Sequence, residues 1–521
     1  MTGISRRKLI LGSGAAGLAG VLASGVALRI LTSPGKRKDL NVLLVVSDSM
    51  RADKIGRRVA GIEVTPNLNA FAGEAVCFQE AYAAASWTKC SVASILSGQF
   101  PSYHGVISPH LALPDIPTLP GYLADKGYLT IGLTANPVTK PETNQDPSGA
   151  PRLTRAGFGY PFIRKSKETG EKRGLYLFFK PDADAQLKAG DYAEGYADTG
   201  VIFSGLLNNL DGNLYAKSGH PFFAYLHDMR THRPWLTPAP LEEVTGKFHE
   251  PKEDAKSAHE KDFEALARYL FPEKREVPPE EMIRRLVAIN DEAVFLFDMK
   301  FGELIDALKA RGLYNRTIVV FTADHGDEFY EHGRIGHAQN LYNASLRVPL
   351  IVRHPEIAPR TVQARVTNAS IFPTVRDLLG DKQTEDATVF SLKPYMAGEL
   401  PAAKNCMDIS ANLMKSTKNV SPDGIAVISS PSSCEVFDIV KDPLEKSPLS
   451  GRDGEAKRLQ GVVAASANLA RRDKVQYVVT NLPGMRAASM NPDGTFDMPD
   501  GEKANLTKEE RDQLKSLGYL N

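Results

Sequence analysis

Four short apolar runs, each ending in residues that carry chemistry, constrain the fold of this chain more than any other feature. Val42-Leu43-Leu44-Val45-Val46 leads into Ser47-Asp48-Ser49, and Tyr128 to Leu133 leads into Thr134-Ala135-Asn136. Phe222-Phe223-Ala224-Tyr225-Leu226 leads into His227-Asp228, and Thr317-Ile318-Val319-Val320-Phe321 into Thr322-Ala323-Asp324-His325. A run without polar alternation suits a strand covered on both faces, the pattern of a sheet enclosed by helices. In sheets of that kind a ligand lies beyond the carboxyl ends of the strands. Four such ends delivering Asp, Asn, His and Asp-His to one edge predict a site.

The expected fold class is therefore α/β, a large mixed, mostly parallel sheet between helices. With 521 residues the chain has room for a second, smaller unit. Apolar spacing from Glu281 to Leu313 predicts a long helix, started by PPEE at 278 to 281 and stopped at Gly312. After about residue 375 the chain becomes richer in Ser and Pro, with short strand-like pieces such as GIAVI and EVFDIV. The expected organisation is a leader over 1–38, a catalytic domain over 39–375 and a smaller α+β domain over 376–521. Thr507 and Glu510 are spaced as a capping box, which predicts a short terminal helix.

Ser5-Arg6-Arg7-Lys8-Leu9-Ile10 stands before a Gly/Ala-rich apolar run, an order similar to a twin-arginine export signal. The run from Leu9 to Leu28 is long enough to cross a bilayer, so the segment serves as a signal or stays as a membrane anchor. The expectation is export, to a periplasmic or membrane-anchored position outside the cytoplasm, with membrane contact only through this segment. The net charge of +1 gives no reason to expect nucleic acid as a partner. Four cysteines with no C-x-x-C pair argue against a disulfide scaffold or a zinc knuckle, while Cys406 and Cys434 are free to pair in an oxidising compartment.

Adjacent Asp324 and His325 in a strand-end turn offer a carboxylate oxygen and an imidazole nitrogen to one cation, and Asp48 adds a third donor. In SWTKCSVASILSG, residues 86 to 98, a helix expected from near Ser91 would favour an anion beside that cation. Thr88, just before this helix, is the nucleophile candidate, because a metal-bound hydroxyl loses its proton more readily.

NVLLVVSDSMRADKIG, SWTKCSVASILSGQFPSYHGV, YLHDMRTHRPW, TADHGDEFYEHG and GHAQNLYNASLRVPLIV resemble, in order, the motifs of the sulfatase family in the alkaline phosphatase superfamily. SIFPTVRDLLG, FDIVKDPLE and LKSLGYL resemble its later segments. The resemblance implies an alkaline-phosphatase-like sandwich and one divalent metal ion (Mn²⁺, Zn²⁺ or Ca²⁺) held by Asp48, Thr88, Asp324 and His325. Ser49 stands where many members have a second Asp. His232 matches the histidine that contacts substrate or protonates the leaving group, and His337 matches the Lys or His that binds the transferred group. Lys89, Asn136 and Asp228 match substrate-contacting positions. In the two-metal alternative, Asp228, His232 and His337 hold a second ion. His227 and His332 read as supporting or structural residues, and His104 as a turn residue.

In family sulfatases the nucleophile opens a C/S-x-P-x-R motif and becomes formylglycine. Aligning that motif on the downstream A-S-x-L-x-G puts Thr88 first, Cys90 at the proline and Val92 at the arginine. Threonine cannot become formylglycine, so the resemblance points to a phosphoester or phosphonate hydrolase or transferase acting on a small-molecule or lipid- or glycan-linked ester. Two alternatives stay open: a sulfuric ester hydrolase without formylglycine, and an inactive binding protein that keeps the fold.

Overall fold

A computed structural model describes residues 40–107, 116–136, 199–212, 219–233, 277–381, 389–399 and most of 409–449, with isolated residues and short strands elsewhere. The expected leader over 1–38, Cys406 and the terminal helix around Thr507 lie outside the described residues. Among the described residues, no helix is long and apolar enough to cross a membrane.

The main sheet has eight strands. In chain order they are β1 (Asn41–Ser47), β2 (Val76–Tyr82), β3 (Leu129–Thr134), β4 (Leu175–Phe178), β5 (Phe222–Asp228), β6 (Thr317–Ala323), β7 (Leu350–Arg353) and β8 (Arg360–Thr367). Across the sheet they run β4-β3-β5-β1-β6-β7-β2-β8. β7 is antiparallel to both neighbours and every other pairing is parallel. The four strands read from their apolar runs are the adjacent central ones, β3-β5-β1-β6. Every residue of these four strands is buried. Since successive side chains point to opposite faces, helices must cover both.

They do so in two groups. Helix α1 (Pro66–Gly73), α4 (Thr199–Asp211) and the long α5 (Glu280–Ala310) pack together, and Phe297 and Phe301 of α5 meet Phe321 of β6. The Asp298 carboxylate of α5 accepts from the backbone of Asn67 (2.9 Å) and Leu68 (2.7 Å), satisfying the exposed first turn of α1 from outside. Helix α2 (Thr88–Ser97), α3 (Leu119–Asp125) and α6 (Ile371–Leu378) form the second group. The expected long helix is α5, with Glu280 and Glu281 in its first turn and Gly312, at φ +65°, just past its end.

The boundary expected at 375/376 falls inside α6, which packs on α2. Beyond it, β9 (Ile409–Leu413), β10 (Ser416–Val420), β11 (Ile425–Ser429) and β12 (Cys434–Asp438) form an antiparallel meander. Its two faces divide by alternation. Ala426 and Ile428 join the main core, while Ile425 and Val427 pack with Val436 on the other side. A further small core unites Trp235, Leu286, Ile289, Ala293, Phe329 and Ile335.

Candidate active site

The central strands end level with one another. Ser47 pairs with Asp228 on one side and Ala323 on the other, and His227 pairs with Thr134. Parallel register therefore places Asp48, Asp228, Asp324 and Asn136 at one edge, as the apolar runs predict.

Two buried carboxylates face each other there. Asp48 Oδ2 accepts from Asn136 Nδ2 at 2.6 Å and from His227 Nε2 at 3.1 Å, and Asp48 Oδ1 accepts from Ser49 Oγ at 2.9 Å. Asp324 Oδ1 accepts from the backbone N–H of Ser49 (3.0 Å) and of His325 (2.9 Å). Ser49 gives one bond to each carboxylate from a left-handed backbone, φ +61°, an unfavourable region for a serine. Asp324 Oδ2 has no hydrogen-bond donor among the described residues although it is fully buried, and it lies 3.4 Å from His325 Nε2.

The electrostatics are those of a site built for a cation. Burial alone would raise the Asp48 carboxyl. The surrounding imidazoles, with the hydrogen bond from His227, outweigh it and hold Asp48 well below the ordinary range. Burial, then the negative charge of Asp48, pushes Asp324 the other way. Asp48, Asp324 and His325 each offer a donor atom within 4.8 Å of the others, a set suited to a divalent ion.

Thr88 Oγ1 stands 3.2 Å from His325 Nε2. Thr88 is the first residue of α2, so the helix begins three residues earlier than Ser91, the start expected from sequence. Trp87, extended at φ −157° and ψ 151°, ends the preceding segment without a side-chain cap, which is why the usual start signal is missing. The threonine thus sits in the first turn, where the helix dipole favours negative charge. Cys90 is packed in the core, and burial pushes its thiol well above the usual range. Lys89 is buried beside Thr88.

Three histidines are oriented alike. His325 Nδ1 donates to Gly326 O (3.1 Å), His232 Nδ1 to Arg233 O (2.5 Å) and His337 Nδ1 to Asp327 Oδ1 (2.6 Å). Each acceptor fixes the proton on Nδ1 and leaves Nε2 as the atom able to accept a proton or a metal. Their rings cluster, with centroids 4.3 Å apart for His325 and His337 and 4.9 Å for His232 and His337. Burial lowers His232 to about 3 and takes His337 well below its ordinary value. Burial raises Asp327 to about 6.

The structure thus brings together Asp48, Thr88, Asp324, His325, His232 and His337. Asn136, expected to touch substrate, has its amide nitrogen on Asp48. The expected trio of Asp228, His232 and His337 for a second ion does not converge. Among the described residues the second group of metal-competent donors is His325, Asp327 and His337. Asp228 Oδ1 instead accepts from Arg230 N (2.9 Å) in the turn after β5, and Asp327 takes the place beside His337. Sequence reasoning missed Asp327, although a carboxylate two positions after His325 in the same turn is a readable signal. It also left His227 without a partner, because that contact depends on β5 lying beside β1.

The sequence model described as Sulfatase matches residues 40–381. Similar proteins include arylsulfatase K of Xenopus laevis, 31% identical over 126 residues, 24% of this chain and 20% of that protein. Choline-sulfatase of Rhizobium meliloti (strain 1021) is 36% identical over 101 residues, 19% of this chain and 20% of that protein. Human N-acetylglucosamine-6-sulfatase is 24% identical over 397 residues, 69% of this chain and 64% of that protein. The chain thus spans about a fifth of the length of the first two relatives. Among solved structures, the phosphonate monoester hydrolase of Agrobacterium radiobacter superposes with a TM-score of 0.62 at 19% identity, covering 89% of this chain and 100% of that one. A protein solved with its substrate D-glucosamine-2-N,6-O-disulfate gives 0.61 at 18% identity, covering 84% and 99%. At these identities the structural likeness concerns the fold.

Proposed function

The chain belongs to the sulfatase family, and from that premise we propose that it is a hydrolase or transferase of phosphoesters or phosphonate esters with Thr88 as nucleophile. The observation that carries this reading is Thr88 Oγ1 at 3.2 Å from His325 Nε2, beside Asp48 and Asp324, while Cys90 points into the core.

The residues fit the divalent metal that the family uses. Two buried carboxylates side by side, one with an oxygen lacking a donor, need a compensating positive charge. Asp48, Thr88, Asp324 and His325 would hold it, and when bound it would supply Lewis acidity to the Thr88 hydroxyl and to an ester oxygen. Thr88 Oγ attacks phosphorus as the bond to the leaving oxygen breaks, giving a phosphorylated threonine. Water or an alcohol then takes the phosphoryl group and regenerates the hydroxyl. The first turn of α2 and Lys89 stabilise the equatorial oxygens. His232, kept neutral by burial, passes the proton lost from Thr88 to the leaving oxygen in the first step, and the proton of the incoming acceptor back to the threonine oxygen in the second.

A sulfuric ester hydrolase is the second reading, favoured by the sulfatase names of the sequence relatives. Turnover of an aryl phosphodiester, an aryl phosphonate monoester and an aryl sulfate by the metal-loaded enzyme, beside Thr88→Ala and Cys90→Ala, separates the two. Phosphorus turnover lost with Thr88 alone supports the first reading. Sulfate preference supports the second, and no turnover with any ester supports an inactive binding protein. We also propose export through the Arg6-Arg7 segment, tested by whether Arg6→Lys with Arg7→Lys retains the protein in the cytoplasm.

A further inference from the structure

The ribbon that carries His337 meets the turn that follows the C-terminal meander, around Leu444 and Glu445, through His332. Glu328–Phe329 pairs with Ile335–Gly336, and His332 stands at the turn between them. Its Nδ1 lies 2.5 Å from Glu328 Oε1, while its Nε2 faces the backbone carbonyls of Leu444 (2.9 Å) and Glu445 (3.2 Å). Carboxylate and carbonyl oxygens only accept, so both ring nitrogens must carry hydrogen for the full set of bonds to exist. A neutral imidazole has one N–H and must give up one side. The ring also stacks on Tyr342, with centroids 3.6 Å apart and planes 12° from parallel, an arrangement that favours the cation.

We propose that His332 acts as an imidazolium latch, a positioning residue that seats the catalytic ribbon against the turn following the C-terminal meander and lets go when it loses a proton. Its far partner is firmly placed. Lys418 Nζ lies 2.6 Å from Glu445 Oε1, Asn343 N donates to Glu445 Oε2 at 2.7 Å, and Asn343 Nδ2 donates to Pro443 O at 2.8 Å. The near partner is placed as well, since Asn340 Nδ2 donates to Glu328 Oε2 at 2.6 Å. The titratable groups facing the ring are therefore the Glu328 carboxylate on its own ribbon, the neutral Tyr342 phenol stacked on it and, behind the carbonyls, Glu445 paired with Lys418. Glu435 reaches only the Tyr342 hydroxyl, at 2.8 Å. Burial opposes the charge on His332, but the hydrogen bond and charge of Glu328 outweigh it and raise the group above its ordinary value. The latch is thus fully closed below pH 6.5, the ordinary value, and opens as the pH rises through the raised value.

Amide hydrogen exchange on the full chain from pH 6 to 9, corrected for intrinsic rates, reads the latch without any substrate. It therefore succeeds or fails independently of the proposed chemistry. In the unsubstituted protein, protection of 328–337 and 443–449 should fall together, by about tenfold for each pH unit by which the His332 midpoint exceeds the ordinary value. In His332→Gln both segments should start lower and stay flat. Glu328→Gln, which keeps the imidazole, should move the fall to lower pH and serves if His332→Gln does not fold. Protection that is flat across the range in the unsubstituted protein, or the same profile in Glu328→Gln as in the unsubstituted protein, would overturn the proposal.

Discussion

Thr88 Oγ1 and His325 Nε2 lie 3.2 Å apart across 237 positions of sequence, one on the first turn of α2 and the other just past β6. A hydroxyl held there is placed for nucleophilic chemistry, whereas the thiol two residues on is packed away. Thr88→Ala should lower turnover of the preferred ester by about three orders of magnitude or more. Cys90→Ala should retain activity and cost about 1 kcal/mol of stability. Steady-state kinetics and thermal unfolding of both variants check this.

His227 spans from Tyr225 Oη, 2.8 Å from its Nδ1, to Asp48 Oδ2, 3.1 Å from its Nε2. Partners of metal-binding carboxylates set ligand direction and basicity. His227→Gln should weaken divalent ion binding by about 10- to 100-fold, and Tyr225→Phe by less. Calorimetric titration with Mn²⁺ and Zn²⁺ measures both, and unchanged affinity in His227→Gln would remove the residue from the site.

Gly336 precedes His337 at φ +94°, and a Cβ there would meet Arg233 Cζ at 2.5 Å. Gly336→Ala therefore combines backbone strain of about 1–3 kcal/mol with displacement of the guanidinium that borders His232 and His337. The expected outcome is a folded protein with a lowered Tm and a larger proportional loss in kcat. A variant matching the parent in both would show that the glycine is dispensable.

His104 accepts from Val106 N at Nδ1 (3.0 Å) and meets Ser94 Oγ at Nε2 (2.8 Å), a pattern that suits only the neutral ring. Burial lowers it from an ordinary 6.5 to about 3. The unfolded chain takes up a proton that the folded one refuses. Stability is therefore whole above pH 6.5 and declines as the pH falls towards 3, by up to about 1.4 kcal/mol per unit. In His104→Gln the decline in Tm over that range should be shallower, and parallel curves would refute the assignment.

The fold and the core of the site were legible because both rest on local signals. Uninterrupted apolar runs mark central strands, and the residues that follow them mark the catalytic edge, so Asp48, Asp324 and His325 could be read before any pairing was known. What depended on neighbours in space was not legible. The partnership of His227 with Asp48 requires β5 beside β1, and the amide of Asn136 turns to the same carboxylate because β3 lies next in order. Asp327 orients His337 only once the ribbon has folded back. The start of α2 was misplaced because an extended Trp87, rather than a capping side chain, precedes it. Cys406, the pairing partner open to Cys434, lies outside the described residues.

Asp324 divides its labour between two oxygens. Oδ1 is anchored by two backbone amides, while Oδ2 is left for something that is not protein. Its direction is thus decided by the folding of the turn around Ser49, not by the arrival of an ion. Loading then resembles a key entering a cut lock more than a clasp drawn around its cargo. Ions of different size would meet the same fixed oxygen, so discrimination among them falls to ligand chemistry and not to rearrangement of the chain.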